Sequence, residues 1–181
     1  MSNRMFDFKD FYDRIAEQLP DKANRVAEIG VADGDSSVYL ANKLHTLGKL
    51  DVFYFIDNFS YGGMNQLNDL WKNIYRGSEL YIDSQVEIIP LSSLDASCKF
   101  NDHYLDFVFI DSSHTYSQTK AEIRLWYHKV IDGGILAGHD YYSIAEVKQA
   151  VDEVGVNVQV EQTRDGNGVW WIKKLPELSM K

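Results

Sequence analysis

A chain of 181 residues can build one sizeable core but not two independent domains, and its 45% hydrophobic and 13% aromatic content is far too rich for a disordered polymer. With 27 Asp and Glu against 18 Lys and Arg the formal charge is -9 and no basic run interrupts it, which disfavours a nucleic-acid backbone as the main partner. Apolar runs such as Val52 to Ile56 fall far short of the roughly 20 residues a membrane span needs, no signal peptide is visible, and the lone Cys98 can form neither an internal disulfide nor a cysteine zinc cage, so no membrane partner and a reducing cytoplasm are expected.

Phe8, Phe11, Tyr12, Ile15 and Leu19 fall on one helical stripe that Pro20 ends. Arg25 to Val31 reads as a strand entering a Gly-Asp loop, after which Leu40, Leu44 and Leu47 recur at helical spacing until Gly48. Leu50 to Ile56 is an aromatic and β-branched strand ending on Asp57. Leu67, Leu70, Trp71, Ile74 and Tyr75 form the helical face after it, with Trp71 and Tyr75 expected in the core. Gln85 to Leu91 is the third strand and Leu105 to Ile110 the fourth, followed by a helix carrying Ile123, Trp126, Tyr127, Val130 and Ile131. Ile135 to Ala137 follows the Gly133-Gly134 turn as the fifth strand, and Ile144, Val147, Val151 and Val154 mark the helix after it. Repeated alternation of strand and helix requires a parallel sheet covered on both faces. Val156 to Gln162 and Val169 to Lys173 then flank Asp165-Gly166-Asn167-Gly168, a hairpin turn, so the sheet should finish antiparallel. The expected fold is a single-domain α/β, Rossmann-like doubly wound sheet, mostly parallel with an antiparallel C-terminal strand.

Open α/β sheets bind ligands beyond the carboxyl ends of their strands, which directs attention to five loops. In the first, Gly30 and Gly34 sit between a strand and a helix, where they allow a tight turn and close approach of an anionic ligand to free helix N–H groups. The G-x-x-x-G spacing lacks the dinucleotide fingerprint, and neither a phosphate loop nor a G-x-S-x-G elbow occurs, so dehydrogenase, nucleotide hydrolase and serine esterase lose ground. Asp57, at the end of the second strand, is placed to accept hydrogen bonds from the two hydroxyls of a ribose. An ordinary turn and a helix N-cap are the competing readings of those two features. Asp111-Ser112-Ser113-His114 and Gly138-His139-Asp140 put carboxylates and imidazoles at neighbouring strand ends. They could hold a divalent cation or supply a general base; equally, Asp111 could cap the next helix and His114 or His139 anchor a loop.

Together these segments resemble the class I S-adenosylmethionine-dependent methyltransferases over almost the whole chain, from Arg25 to Lys174. VAEIGVADGDSS is similar to the family's cofactor motif, FIDNF to its acidic second-strand motif and GGILAGHDYY to the end of its fifth strand. FVFIDSSHTY followed by AGHDYY resembles one subgroup, methyltransferase domain family 24. On this resemblance residues 1–24 are an N-terminal helix packed on the domain, 25–174 the methyltransferase domain and 175–181 a tail, with the last strand inserted between the fifth and sixth. The resemblance implies S-adenosylmethionine as cofactor, with Glu28, Gly30 and Gly34 at its methionine end beside Ser36, and Asp111 also among the cofactor-binding residues. It places Asp57 on the ribose hydroxyls with Asn58 flanking, and Ser93 and Leu94 near the adenine, where relatives often carry an acid at the position of Ser92.

Related O-methyltransferases hold magnesium on acids that match Asp111, His139 and Asp140, so Mg2+ is a possible second cofactor. His139 stands where many carry aspartate, and magnesium prefers oxygen to imidazole. Ser113 stands where some sugar O-methyltransferases carry an aspartate base, which makes His114 the candidate base, with Asp111 and His139 as the other catalytic candidates. The expected activity is O-methyl transfer to a small molecule or sugar, without nucleic acid. The alternatives are a cofactor-binding module without catalysis, and a metal-dependent hydrolase using Asp111, His114, His139 and Asp140, which would leave Gly30, Gly34 and Asp57 unexplained. Neither the acceptor nor the oligomeric state is readable from the residues.

Overall fold

The computed structural model describes residues 6–77, 85–154 and 157–176. In chain order the elements are α1 (Lys9–Gln18), β1 (Asn24–Ile29), α2 (Asp35–Thr46), β2 (Leu50–Ile56), α3 (Gly63–Gly77), β3 (Val86–Ile89), α4 (Ser93–Ser97), β4 (Leu105–Ile110), α5 (Tyr116–Lys129), β5 (Val130–Gly138), α6 (Ala145–Asp152), β6 (Gln159–Glu161) and β7 (Val169–Lys173). The sheet order is β3-β2-β1-β4-β5-β7-β6. The first five strands pair in parallel, while β7 is antiparallel to both β5 and β6. This is the doubly wound sheet with an inserted antiparallel strand that the sequence led us to expect.

Every residue of β4 is buried, which is why its sequence reads as a continuous apolar run broken only by Asp106. Its side chains alternate between two cores. Phe107 and Phe109 face a layer made by α1, α2 and α3, whereas Val108 and Ile110 face the layer of α5 and α6 around Trp126, Val147 and Val151. On the first face α1 is fixed by Phe8, Phe11, Tyr12 and Ile15, with the Tyr12 ring edge-on to Phe109 at 5.0 Å. Each such buried side chain contributes about 1.5–3 kcal/mol relative to exposure.

The register sets the height of the site. Ile29 pairs with both Ile56 and Ile110, so β1, β2 and β4 end level. The ladder continues one step further through Gly30 N to Ile56 O at 2.8 Å, Asp111 N to Ile29 O at 2.8 Å and His139 N to Ile110 O at 3.1 Å. Gly30, Asp57, Asp111 and His139 therefore emerge side by side. Between β1 and β4 the strand order reverses, which leaves a cleft outside their carboxyl ends.

Three local expectations need correction. Val130 and Ile131 belong to β5, not to the preceding helix, because Val130 turns extended at ψ 140° and pairs with Leu105. Gly133 and Gly134 then lie inside that strand, at a register shift where a side chain on Gly134 would meet Asp106 O at 2.8 Å. Trp71 and Tyr75 are 42% and 58% exposed, since α3 turns Leu70 and Ile74 inward and the next residue round the helix faces out. The start of the C-terminal hairpin at Val156 lies outside the described residues, and the strand seen runs from Gln159 to Glu161.

Candidate active site

Gly30 adopts φ +86°, and a Cβ there would lie 2.0 Å from the backbone oxygen of Asp111, so only glycine lets the loops after β1 and β4 touch. Gly34, at φ +83°, precedes the first residue of α2, and a Cβ on it would meet Leu70 Cδ1 at 2.3 Å. It packs α2 against α3. Asp57 joins two loops: its Oδ2 accepts from Ala32 N at 3.0 Å and its Oδ1 from Phe59 N at 2.7 Å. It caps no helix.

These loops surround a cavity of about 570 Å³, within the size range of cofactor pockets. Of the residues expected at a cofactor, Gly30, Asp57, Asn58, Ser93 and Asp111 are on its wall, with Ser92 and His114. Glu28, Gly34, Ser36 and Leu94 are not. Glu28 is buried behind the wall, where Tyr12 donates to its Oε2 at 2.8 Å and Ser36 to its Oε1 at 2.5 Å. Burial pushes its carboxyl up to about 7, against those hydrogen bonds. Leu94 is on α4, a helix too short for periodicity to reveal, which Ser92 caps by accepting from Asp95 N at 3.2 Å. Ser93 accepts from Trp126 Nε1 at 2.9 Å.

The second group sits beside Asp111. One ligand atom from each of Asp111, His139 and Asp140 lies within 4.8 Å of the others. His139 Nδ1 faces Asp140 Oδ1 at 3.4 Å and Asp111 Oδ1 at 3.8 Å, with its other nitrogen 2.9 Å from Asp7 Oδ1. His114 Nε2 lies 2.9 Å from Asp140 Oδ2 and 3.8 Å from Asp111 Oδ1. Asp140 holds the left-handed conformation at φ +65° and accepts from Ser143 at 2.7 Å. Asp111 and Asp140 raise His114 to about 10. For His139, burial disfavours the charged form but Asp140, Asp111 and Asp7 outweigh it, so its pKa too is raised. Burial opposes ionisation of Asp140, yet the two histidines and Ser143 hold it well below the usual carboxylate range.

All four acid–histidine candidates are thus brought together, and two supports appear that sequence reasoning missed. Asp7 backs His139 and is itself held by Thr163 at 2.5 Å and Asn167 at 3.1 Å. Glu122 on α5 is fully buried and accepts from Ser112 and Gln118, both on the cavity wall. Nothing in the local pattern at Asp7 or Glu122 marks either, because their partners are distant in sequence or hidden on a helix face.

Residues 27–141 match a family described as a methyltransferase domain. No curated protein matches the chain. Among solved structures, the O-methyltransferase NovP is similar at a TM-score of 0.70 and 19% identity, covering 92% of this chain and 80% of that one. An rRNA methylase from Streptococcus thermophilus gives 0.69 and 17%, covering 97% and 100%. The cofactor-bound protein Rv0187 from MTB gives 0.71 and 16%, covering 97% and 83%. At these identities the likeness is one of fold.

Proposed function

The chain belongs to the methyltransferase domain family and is an S-adenosylmethionine-dependent methyltransferase; within that class we propose that it methylates a hydroxyl of a small molecule or sugar. The observation that carries this reading is the Asp111, His114, His139 and Asp140 cluster opening beside a cofactor-sized cavity. Methyl transfer to oxygen needs a group that takes the hydroxyl's proton at the place where the acceptor is aligned.

Bound in the cavity, the cofactor supplies a methyl already activated by its sulfonium. Asp57 would accept from the ribose hydroxyls with the lone pairs left free by Ala32 and Phe59, and Asn58 would flank it. Ser93 would lie at the adenine end, while Leu94, which is off the cavity wall, would not touch the ligand. Gly30 and Gly34 would shape the methionine end, with Glu28 supporting the loop through Ser36 rather than touching the ligand. With Nε2 facing Asp140, which would orient the ring through that nitrogen, His114 would take the acceptor's proton onto Nδ1, and His139 is the second candidate base.

A divalent cation would be held by Asp111, His139 and Asp140, where it would lower the acceptor hydroxyl's pKa. The residues fit such an ion: two carboxylates and an imidazole converge, and a third carboxylate, Asp7, lies 2.9 Å from the far ring nitrogen, on the side where a ligating histidine finds its support but without hydrogen-bond alignment. The mixed oxygen–nitrogen set suits manganese better than magnesium.

The test measures transfer of labelled methyl groups to a panel of sugars, phenols and small hydroxy compounds, with an RNA transcript in parallel. Asp57→Ala should abolish binding of S-adenosylhomocysteine, whereas Asp111→Asn should keep binding and lose transfer. Labelling of RNA alone would overturn the small-molecule reading, and the two variants behaving the other way round would overturn the residue roles.

A further inference from the structure

Glu122 lies on α5 with no exposed surface. Its Oε1 accepts two hydrogen bonds, from Ser112 Oγ at 2.7 Å and from Gln118 Nε2 at 3.1 Å. Its Oε2 is buried without a well-aligned hydrogen bond among the described residues, although the Ser93 hydroxyl, also on the cavity wall, interacts with the carboxyl and favours its charged form. A carboxyl placed only to stabilise the fold would be a poor choice here, because a buried carboxyl whose hydrogen bonds are incomplete costs more than an apolar side chain of the same shape. Both donors, however, are on the wall of the 570 Å³ cavity.

The consequence is a matter of counting protons. Ser112 has one hydroxyl proton and spends it on Glu122, so toward the cavity it can offer only lone pairs. Gln118 spends one of its two amide protons on Glu122, which fixes the amide's orientation and puts its carbonyl oxygen on the other side of the group. Glu122 Oε1 accepts whether the carboxyl is ionised or protonated, so the direction of both bonds is the same in either state. We propose that Glu122 is a positioning residue that makes this wall a hydrogen-bond acceptor, and so selects a cofactor whose base carries an exocyclic amine. The proposal rests on the methyltransferase reading: of the cofactor's uncharged groups, the adenine amine is the one that donates hydrogen bonds without serving as a normal acceptor, and the ring nitrogens would meet lone pairs with lone pairs.

The test compares binding of S-adenosylhomocysteine with that of its 6-deamino purine analogue by calorimetry, in the wild type, Glu122→Met and Glu122→Gln. The wild type should prefer the amine by about tenfold or more, as a site built around a polar group rejects the analogue lacking it. Glu122→Met frees the Ser112 proton and should bring the two ligands within about threefold. Glu122→Gln keeps an oxygen that can accept both bonds and should retain the preference, which a merely structural role would not require. Should Glu122→Met lose its folded circular dichroism, Ser112→Ala removes one acceptor directly and should lower the same ratio. A wild-type ratio near one, or a ratio unmoved in Glu122→Met and Ser112→Ala, overturns the proposal. Failure of the wild type to bind S-adenosylhomocysteine at all would instead overturn the cofactor reading on which it stands.

Discussion

At Glu28 a carboxyl lies wholly inside the sheet–helix interface, and burial pushes it from 4.5 to about 7. Below pH 4.5 it is protonated in both folded and unfolded chains. Between there and about 7 only the folded chain holds the proton, so rising pH favours unfolding, by about 3 kcal/mol in all. Glu28→Gln should remove that slope, and the difference between the two urea-unfolding curves at pH 5, 6, 7 and 8 isolates it from other titrating groups. Parallel curves would mean that Glu28 is not a buried acid. His114 calls for a kinetic measurement. Asp111 and Asp140 raise it to about 10, and only the neutral ring accepts a proton. With chelator present, the transfer rate should climb about tenfold per pH unit and level near 10, and His114→Asn should flatten the climb. The same slope in both proteins would take the base role from His114. These residues differ in how well the chain announces them. Asp57, Asp111, His114, His139 and Asp140 stand directly after strands, so their gathering follows from topology; Glu28 was legible as a motif residue, but its place behind the wall depends on Tyr12, which is 16 positions away.

Two helices of this fold end where a lysine from elsewhere in the chain supplies missing donors. Lys49, nearly buried, sends Nζ to the carbonyl oxygens of Ala16 at 3.3 Å, Glu17 at 3.0 Å and Leu19 at 2.9 Å, closing the C-terminus of α1 from the start of β2. Lys174 treats the end of α5 in the same way, through Tyr127 O at 3.1 Å and Val130 O at 2.8 Å. Lys49→Met should leave three carbonyls without a donor and cost about 2–3 kcal/mol, read as a shift in the urea midpoint at constant slope. A change below about 0.5 kcal/mol would show that water replaces the lysine fully. Neither lysine could be assigned from sequence, because a single charge among apolar residues reads as surface. The boundary between α5 and β5 was misread for a related reason. Val130 and Ile131 continue the helical spacing of Ile123 and Trp126, and only pairing with Leu105 turns them into strand. Where tertiary contact and periodicity agreed, as along β1, β2 and β4, the element was visible; where they competed, the contact prevailed.

On the scale of the molecule, the doubly wound order puts the cavity and the acid–histidine cluster on the same edge of the sheet, and Asp111 belongs to both. The chain before α1 and the loop between β6 and β7 close behind that edge, where Asp7 meets Thr163 and Asn167, and beside them Arg14 of α1 holds Glu161 of β6 at 2.6 Å. Asp7, 2.9 Å from His139 Nε2, is therefore fixed by segments far apart in the chain, and loosening either should displace the carboxylate that faces His139. Sharing Asp111 has a thermodynamic consequence. A cation drawn to the cluster and a ligand in the cavity both act on the same carboxylate, so each must change the other's affinity by one common factor. Thermal unfolding with S-adenosylhomocysteine alone, with Mn2+ alone and with both should give shifts that do not simply add, since each ligand stabilises the folded chain according to its own apparent affinity. Asp111→Asn should make the two shifts additive, because it weakens the shared charge while leaving Asp57 and the cavity in place. Additive shifts in the unaltered protein would separate the two sites and assign Asp111 to one of them only.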